Sequence, residues 1–191
     1  MVARQFEHPR QPRCCSLAQK RGPPNEPADH ALGRSRGGFG TKLHLLCDGN
    51  GIPLSALLLP GQAHESTQFE MLVGSVRVQR PKGRPRSRPR RVGADKAYHA
   101  QRIRHWLRAH GIAAVIPPRK GHAKRRAGRP IGYDQERYRG RNVIECCIGW
   151  LKECRSLATR FEKLAVHFLG MVHLAIIERY LRLLTRQPSA T

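Results

Sequence analysis

The sequence predicts an α/β fold, a mixed sheet flanked by helices. Three observations predict it. Short apolar runs of strand length alternate with stretches of helical period through the middle of the chain. A turn signal, "DGNG", joins two apolar runs. The C-terminal part reads as two helices, the last apolar nearly all round. Strands alternating with helices in this way pack as layers around one sheet.

The elements follow in order. Residues 1–30 are rich in Pro, Arg and Gln, show no clear period and are expected to be irregular. In "TKLHLLCDGNGIPLSALLLPG" the apolar runs predict strands near 41–47 and 52–59. "HESTQFEMLVGSV" carries Phe69, Leu72, Val73 and Val76 on one face, with Ser66 and Thr67 as cap candidates, and predicts a helix. "RVQRPKGRPRSRPRR" cannot form a core and predicts a basic loop. "RVGADKAY" predicts a short strand ending on Asp95, and "HAQRIRHWLRAHG" a helix that turns Ile103, Trp106 and Leu107 inward and stops at Gly111. "IAAVIPP" predicts a buried strand, "RKGHAKRRAGRP" a second basic loop, and two helices follow at roughly 134–155 and 165–185.

Charge sets the class of partner. The chain has 191 residues, 36 Lys and Arg against 13 Asp and Glu, a formal charge of +23 and a pI near 11.3. Such a chain repels itself and needs a polyanion, for which nucleic acid is the usual answer. At 39% hydrophobic residues it still has material for a core. The start of the chain has no apolar leader segment, and "AVHFLGMVHLAII" is too short to span a bilayer, so no membrane partner and a cytoplasmic location are expected. Six Cys occur, none in a C-x-x-C pair, which favours reduced thiols over zinc.

Carboxylates are scarce, so each is informative. Asp95 stands at the C-terminal end of a predicted strand, where open α/β sheets place their sites. In "YRGRNVIECCIGWLK", Tyr138, Arg141, Glu145 and Lys152 are spaced by three, four and seven residues, which puts all four on one face of a helix. Surface ion pairing would explain that face by itself. Two carboxylates from separate elements in a basic surface also suit a divalent metal, Mg²⁺ or Mn²⁺, working on phosphate. His64 and Glu65 in "GQAHES" either approach such a metal or cap the following helix, and Trp106 and Trp150 are read as core.

"GRSRGGFGTKLHLLCDGNGIPLSALLLPGQAHEST", "ADKAY" and "YRGRNVIECCIGWLK" together resemble the catalytic domain of DDE transposases of bacterial insertion sequences, in the insertion sequence five branch of the insertion sequence four superfamily. The spacing Tyr, two residues, Arg, three residues, Glu, six residues, Lys is matched by Tyr138, Arg141, Glu145 and Lys152, and the resemblance runs from about Gly22 to Leu184. It implies an RNase H-like sheet, Mg²⁺ or Mn²⁺ as cofactor, and cleavage and joining of insertion-sequence ends. It further implies Asp95 and Glu145 as catalytic metal ligands, and Tyr138, Arg141 and Lys152 as DNA-binding residues. The partners it implies are DNA ends and target, with another copy or a full-length transposase.

Two departures stand out. Ala97 replaces the Gly of the family's D-K-G-Y, a mild change unless the position needs positive φ. The first catalytic Asp is missing: by spacing it falls near Arg4, and Asp29, in "PADHALGRSRGG", and Asp48, in the hairpin turn, do not fit the role. The expectation is an irregular, frameshifted segment at 1–30, a DDE domain at 31–186 without its first central strand, and a tail at 187–191. Such a truncated copy would be weak or inactive alone. The alternative is a DNA-binding remnant without catalysis.

Overall fold

The computed structural model describes residues 2–9, 30–35, 38–118 and 134–185. Among them the strands are β1 (Val2–Pro9), β2 (Gly33–Ser35), β3 (Gly38–Cys47), β4 (Pro53–Pro60), β5 (Arg91–Ala94) and β6 (Ala113–Val115). The helices are α1 (Phe69–Gly74), α2 (Gln101–Ala109), α3 (Gln135–Arg139), α4 (Asn142–Glu153), α5 (Arg155–Ala158) and α6 (Ala165–Thr185). The strands form one mixed sheet in the order β2-β3-β1-β5-β6, with β4 paired to β3 off that path. β5 runs parallel to both β1 and β6, while β2 is antiparallel to β3.

β1 corrects the expectation of an irregular N-terminus and a sheet without its central strand. Residues 2–9 are extended and lie between β3 and β5. A central strand is held by main-chain hydrogen bonds on both edges, whatever its side chains. "VARQFEHP" has too few β-branched residues to announce itself by pattern. Residues 10–29, the basic stretch 119–133 and the tail from 186 lie outside the described residues.

The hairpin forms where "DGNG" places it. Asp48 Oδ1 accepts from the amides of Asn50 (2.8 Å) and Ile52 (2.9 Å), an Asx turn. Gly51 takes φ +79°, which a side chain would resist. The cap ahead of α1 differs from expectation. His64, not Ser66 or Thr67, caps the short 3₁₀ turn Glu65–Thr67: its Nδ1 accepts from the Ser66 amide at 3.3 Å and meets the Ser66 hydroxyl at 2.7 Å. The single helix expected over 134–155 is two, α3 and α4, because the chain turns at Gly140–Arg141, and the short α5 follows the break at Cys154. The last helix has the expected bounds.

By contacts the described chain divides into two compact units. The first holds residues 1–5, 44–55 and 64–147, and the second 6–43, 56–63 and 148–191. The first unit's core is Phe69, Leu72, Val92, Ala94, Tyr98, Ile103, Leu107 and Ile144, all 1% exposed or less. The second unit is organised around a buried cation. Arg160, 1% exposed, donates through Nη1 to the Thr41 hydroxyl, through Nη2 to the His30 (2.8 Å) and Lys163 (3.3 Å) carbonyls, and through Nε to the Glu162 carbonyl (3.1 Å). Its guanidinium also sits 5.0 Å from the Phe168 ring centroid. Thr41 passes the network on by donating to the Ala31 carbonyl at 2.6 Å, and Ala31 takes φ +44°.

Two measurements check this packing. Arg160→Ala strands several buried acceptors, and urea denaturation should show a loss of about 3 kcal/mol or more. Thiol alkylation should rank the described cysteines, with exposed Cys146 first and buried Cys47 and Cys147 last. Half-buried Cys154 should react more slowly than an ordinary thiol. Burial first, then Glu178 and Glu153, push its pKa up, against a smaller lowering by Arg182, so less thiolate is present near neutral pH.

Candidate active site

The site begins at the end of β5. Val92 and Ala94 are buried and anchor the strand, and the chain stays extended through Asp95 (φ −68°, ψ 165°) before turning into the 3₁₀ segment Lys96–Tyr98. Asp95 caps that turn, its Oδ1 accepting from the Lys96 amide at 2.7 Å. The turn is pinned from beneath: the Tyr98 hydroxyl lies 2.7 Å from Nδ1 of His44, and both residues are 1% exposed or less. The Phe69 ring packs on Tyr98 at 5.5 Å between centroids. Ala97 lies in this turn, and the only described non-glycine residue with positive φ is Ala31, so the substitution for Gly strains nothing.

The second arm of the site comes from α3 and α4. Asp134 caps α3 by accepting from the Arg137 amide at 3.0 Å. Gly140 closes it, where an added Cβ would come within 3.3 Å of the Arg137 carbonyl. Arg141 therefore lies in the link between the helices, and Tyr138 belongs to α3 rather than to the helix of Glu145. The shared face read from a continuous helix is corrected to that extent. The turn still folds the Arg141 guanidinium over the Tyr138 ring, 5.0 Å from its centroid.

Arg141 joins the two carboxylates. Its Nη1 lies 3.5 Å from Asp95 Oδ1 and 3.4 Å from Glu145 Oε1. Asp95 and Glu145 are thus no further apart than two ion-pair lengths, with one nitrogen between them. The pair is open to water, with side chains 38% and 33% exposed, while Arg141 is 23% exposed. Two carboxylates from separate elements facing one cation form a donor set that fits a hard divalent ion. No cluster of three His, Cys, Asp or Glu side chains able to hold a metal occurs among the described residues.

The remaining candidates divide. Lys152 is exposed on the last turn of α4, and Arg141 brings Asp95, Tyr138 and Glu145 together. His64 caps the 3₁₀ turn Glu65–Thr67 rather than the helix after it, whose N-cap is Gln68. Trp106 is half-buried, edge-on to Phe69 and stacked on His110 at 4.1 Å. Trp150 is half-buried under the guanidinium of Arg179. The sequence reading missed the His44–Tyr98 support. The two positions are 54 residues apart, and no local period links them.

The chain is similar to known proteins over most of its length. The family model described as "Transposase DDE domain" matches residues 18–177. A protein named as a transposase for insertion sequence element IS402 of Burkholderia cepacia is 36% identical over 127 residues, covering 66% of this chain and 56% of that protein. One named for element IS6501 of Brucella ovis is 32% identical over 146 residues, covering 74% of this chain and 98% of that protein. The match thus spans little more than half the length of the Burkholderia relative. No solved structure matches.

Energetically the exposed fork and its buried support should separate. Arg141→Gln should cost no more than about 1 kcal/mol in urea denaturation, because water screens its ion pairs. Tyr98→Phe, which removes a hydroxyl partner from buried His44, should cost about 1–3 kcal/mol. The opposite ranking would make Arg141 a structural clamp.

Proposed function

The chain belongs to the DDE transposases of insertion sequences, a family whose work is DNA transposition, and on that premise we propose that Asp95 and Glu145 are its catalytic carboxylates. The observation that carries this reading is the single Arg141 nitrogen held between them. A place that attracts one cation from two sides is a place for Mg²⁺ or Mn²⁺. Such an ion, when bound, activates the attacking oxygen and stabilises the leaving one in phosphodiester cleavage and strand transfer.

The chain's own residues position the substrate. Arg141, Tyr138 and Lys152 hold the DNA backbone near the cut, the arginine by paired N–H donors and the tyrosine as a platform under it. Asp95 is fixed by its cap on Lys96 and by the Tyr98 turn. Glu145 is fixed by α4, whose Ile144 and Cys147 are buried. The mixed sheet with Asp95 at a strand end is consistent with the RNase H-like arrangement proposed for it.

The site is proposed to be incomplete in this chain. β1 pairs with β5 through Val2–Gly93 and Ala3–Ala94. The next step of that register brings position 4 level with Asp95, where the family's first carboxylate is expected, and the residue there is Arg4. Cleavage by this chain alone is therefore weak or absent. Its partners are insertion-sequence ends, target DNA, and another copy or a full-length transposase in the bacterial cytoplasm, close to the nucleoid. No helix among the described residues is long and apolar enough to cross a membrane. The alternative, a remnant that binds ends without cutting them, rests on the same Arg4.

Calorimetric Mn²⁺ titration and nicking of an end duplex test both readings. Arg4→Asp should tighten Mn²⁺ binding at least tenfold and raise nicking, and Glu145→Ala should abolish both gains while DNA binding persists. Robust Mn²⁺-dependent nicking by the unaltered chain would remove the case for an incomplete site. No gain in Arg4→Asp would favour the binding remnant.

A further inference from the structure

Away from the carboxylates, residues 77–91 form an arm between α1 and β5. It carries eight Lys and Arg and no Asp or Glu. The arm is an ordered hairpin: Val78 and Arg86 exchange main-chain hydrogen bonds of 2.9 and 2.7 Å, and the tip turns at Gly83 with φ +88°. Its base is fixed by Arg77, which donates to the Gly74 (2.6 Å) and Val76 (2.8 Å) carbonyls at the end of α1.

Two features set the arm apart from a merely solvated basic loop. The first is its period. From 80 to 90 every even position is a cation, and the odd positions are Pro, Gly or Ser. Each proline, at 81, 85 and 89, disfavours helix at the residue before it, so Arg80, Arg84 and Arg88 are biased to extended backbone before any ligand arrives. The chain reverses at Gly83, so Arg80 and Lys82 precede the tip while Arg84, Arg88 and Arg90 lie on the returning limb.

The second is the state of the side chains. Arg80, Lys82, Arg84, Arg88 and Arg90 are exposed, and none has a side-chain hydrogen bond or ion pair with a described residue. Elsewhere in the same unit, Arg102 meets Glu70 and Arg104 meets the Ile116 carbonyl. Arg77 and Arg86 are tied to carbonyls of the arm and its base, which leaves those five cations presented together to solvent.

We infer that residues 77–91 are a DNA-backbone contact separate from the Asp95–Glu145 site, an arm whose alternate cations take phosphates of a duplex without reading its sequence. This rests on the DNA reading above. The arm leads straight into β5, whose four residues put Asp95 ~13 Å further along the chain. Duplex gripped by the arm would flank the cut rather than occupy it.

The test is fluorescence anisotropy on a short duplex of arbitrary sequence across a salt series, with the full chain. Arg84→Gln with Arg88→Gln should lower the slope of log K against log salt by roughly 2, and Arg84→Lys with Arg88→Lys should keep the slope. An equal charge loss on other helices, Arg108→Gln with Arg155→Gln, should move the slope less than half as far. In the unaltered chain, the same duplex should shield Lys82 from acetylation, a readout that needs no variant. An unchanged slope in the Gln variant, or Lys82 acetylated equally with and without DNA, overturns the arm while DNA binding by the parent keeps the transposase reading. A parent that binds no duplex overturns both.

Discussion

A shortage of carboxylates governs this molecule. With 36 Lys and Arg and 13 Asp and Glu, salt bridges alone cannot neutralise its cations. The fold answers in several ways. Arg160, fully buried, donates to carbonyl oxygens and a hydroxyl. Arg104 and Lys42 also end on carbonyls. Arg141, Arg160 and Arg179 lie over the faces of Tyr138, Phe168 and Trp150. Arg80, Lys82, Arg84, Arg88 and Arg90 of the 77–91 arm stand exposed to water.

The same shortage gives the carboxylate fork its meaning. In a chain with an even charge balance, Asp95 and Glu145 around Arg141 would be one ion-pair cluster among several. Here Arg102 pairs with Glu70, Arg137 with Asp134 and Arg182 with Glu178, each at the surface. Only at Arg141 do two acidic side chains from different elements converge on one cation among these pairs. Holding two like charges close together in water is unfavourable unless a cation lies between them, and Arg141 fills that role. The phosphate contact proposed for Arg141 needs partial exposure, which its side chain has at 23%.

The family signature was legible because it is local. Tyr138 to Lys152 is one stretch, "DGNG" is one turn, and "ADKAY" is one strand end. Helix α6 was bounded correctly because an apolar period over 21 residues leaves little choice. The break at Gly140 was not read, because Gly is tolerated inside a helical period and the residues on both sides keep helical spacing. β1 was not read because its placement depends on strands contributed from much later in the chain.

By itself the sequence determined the charge, the hairpin, the long last helix and the two acidic residues on which the function is proposed to turn. These follow from composition and from patterns a few residues long. Only the tertiary structure decided that "VARQFEHP" is a central strand, that Arg141 stands between Asp95 and Glu145, and that His44 supports the turn after Asp95. The reason is range. Backbone pairing in a sheet and side-chain pairing across 54 residues are set by which elements become neighbours, and no local propensity encodes that.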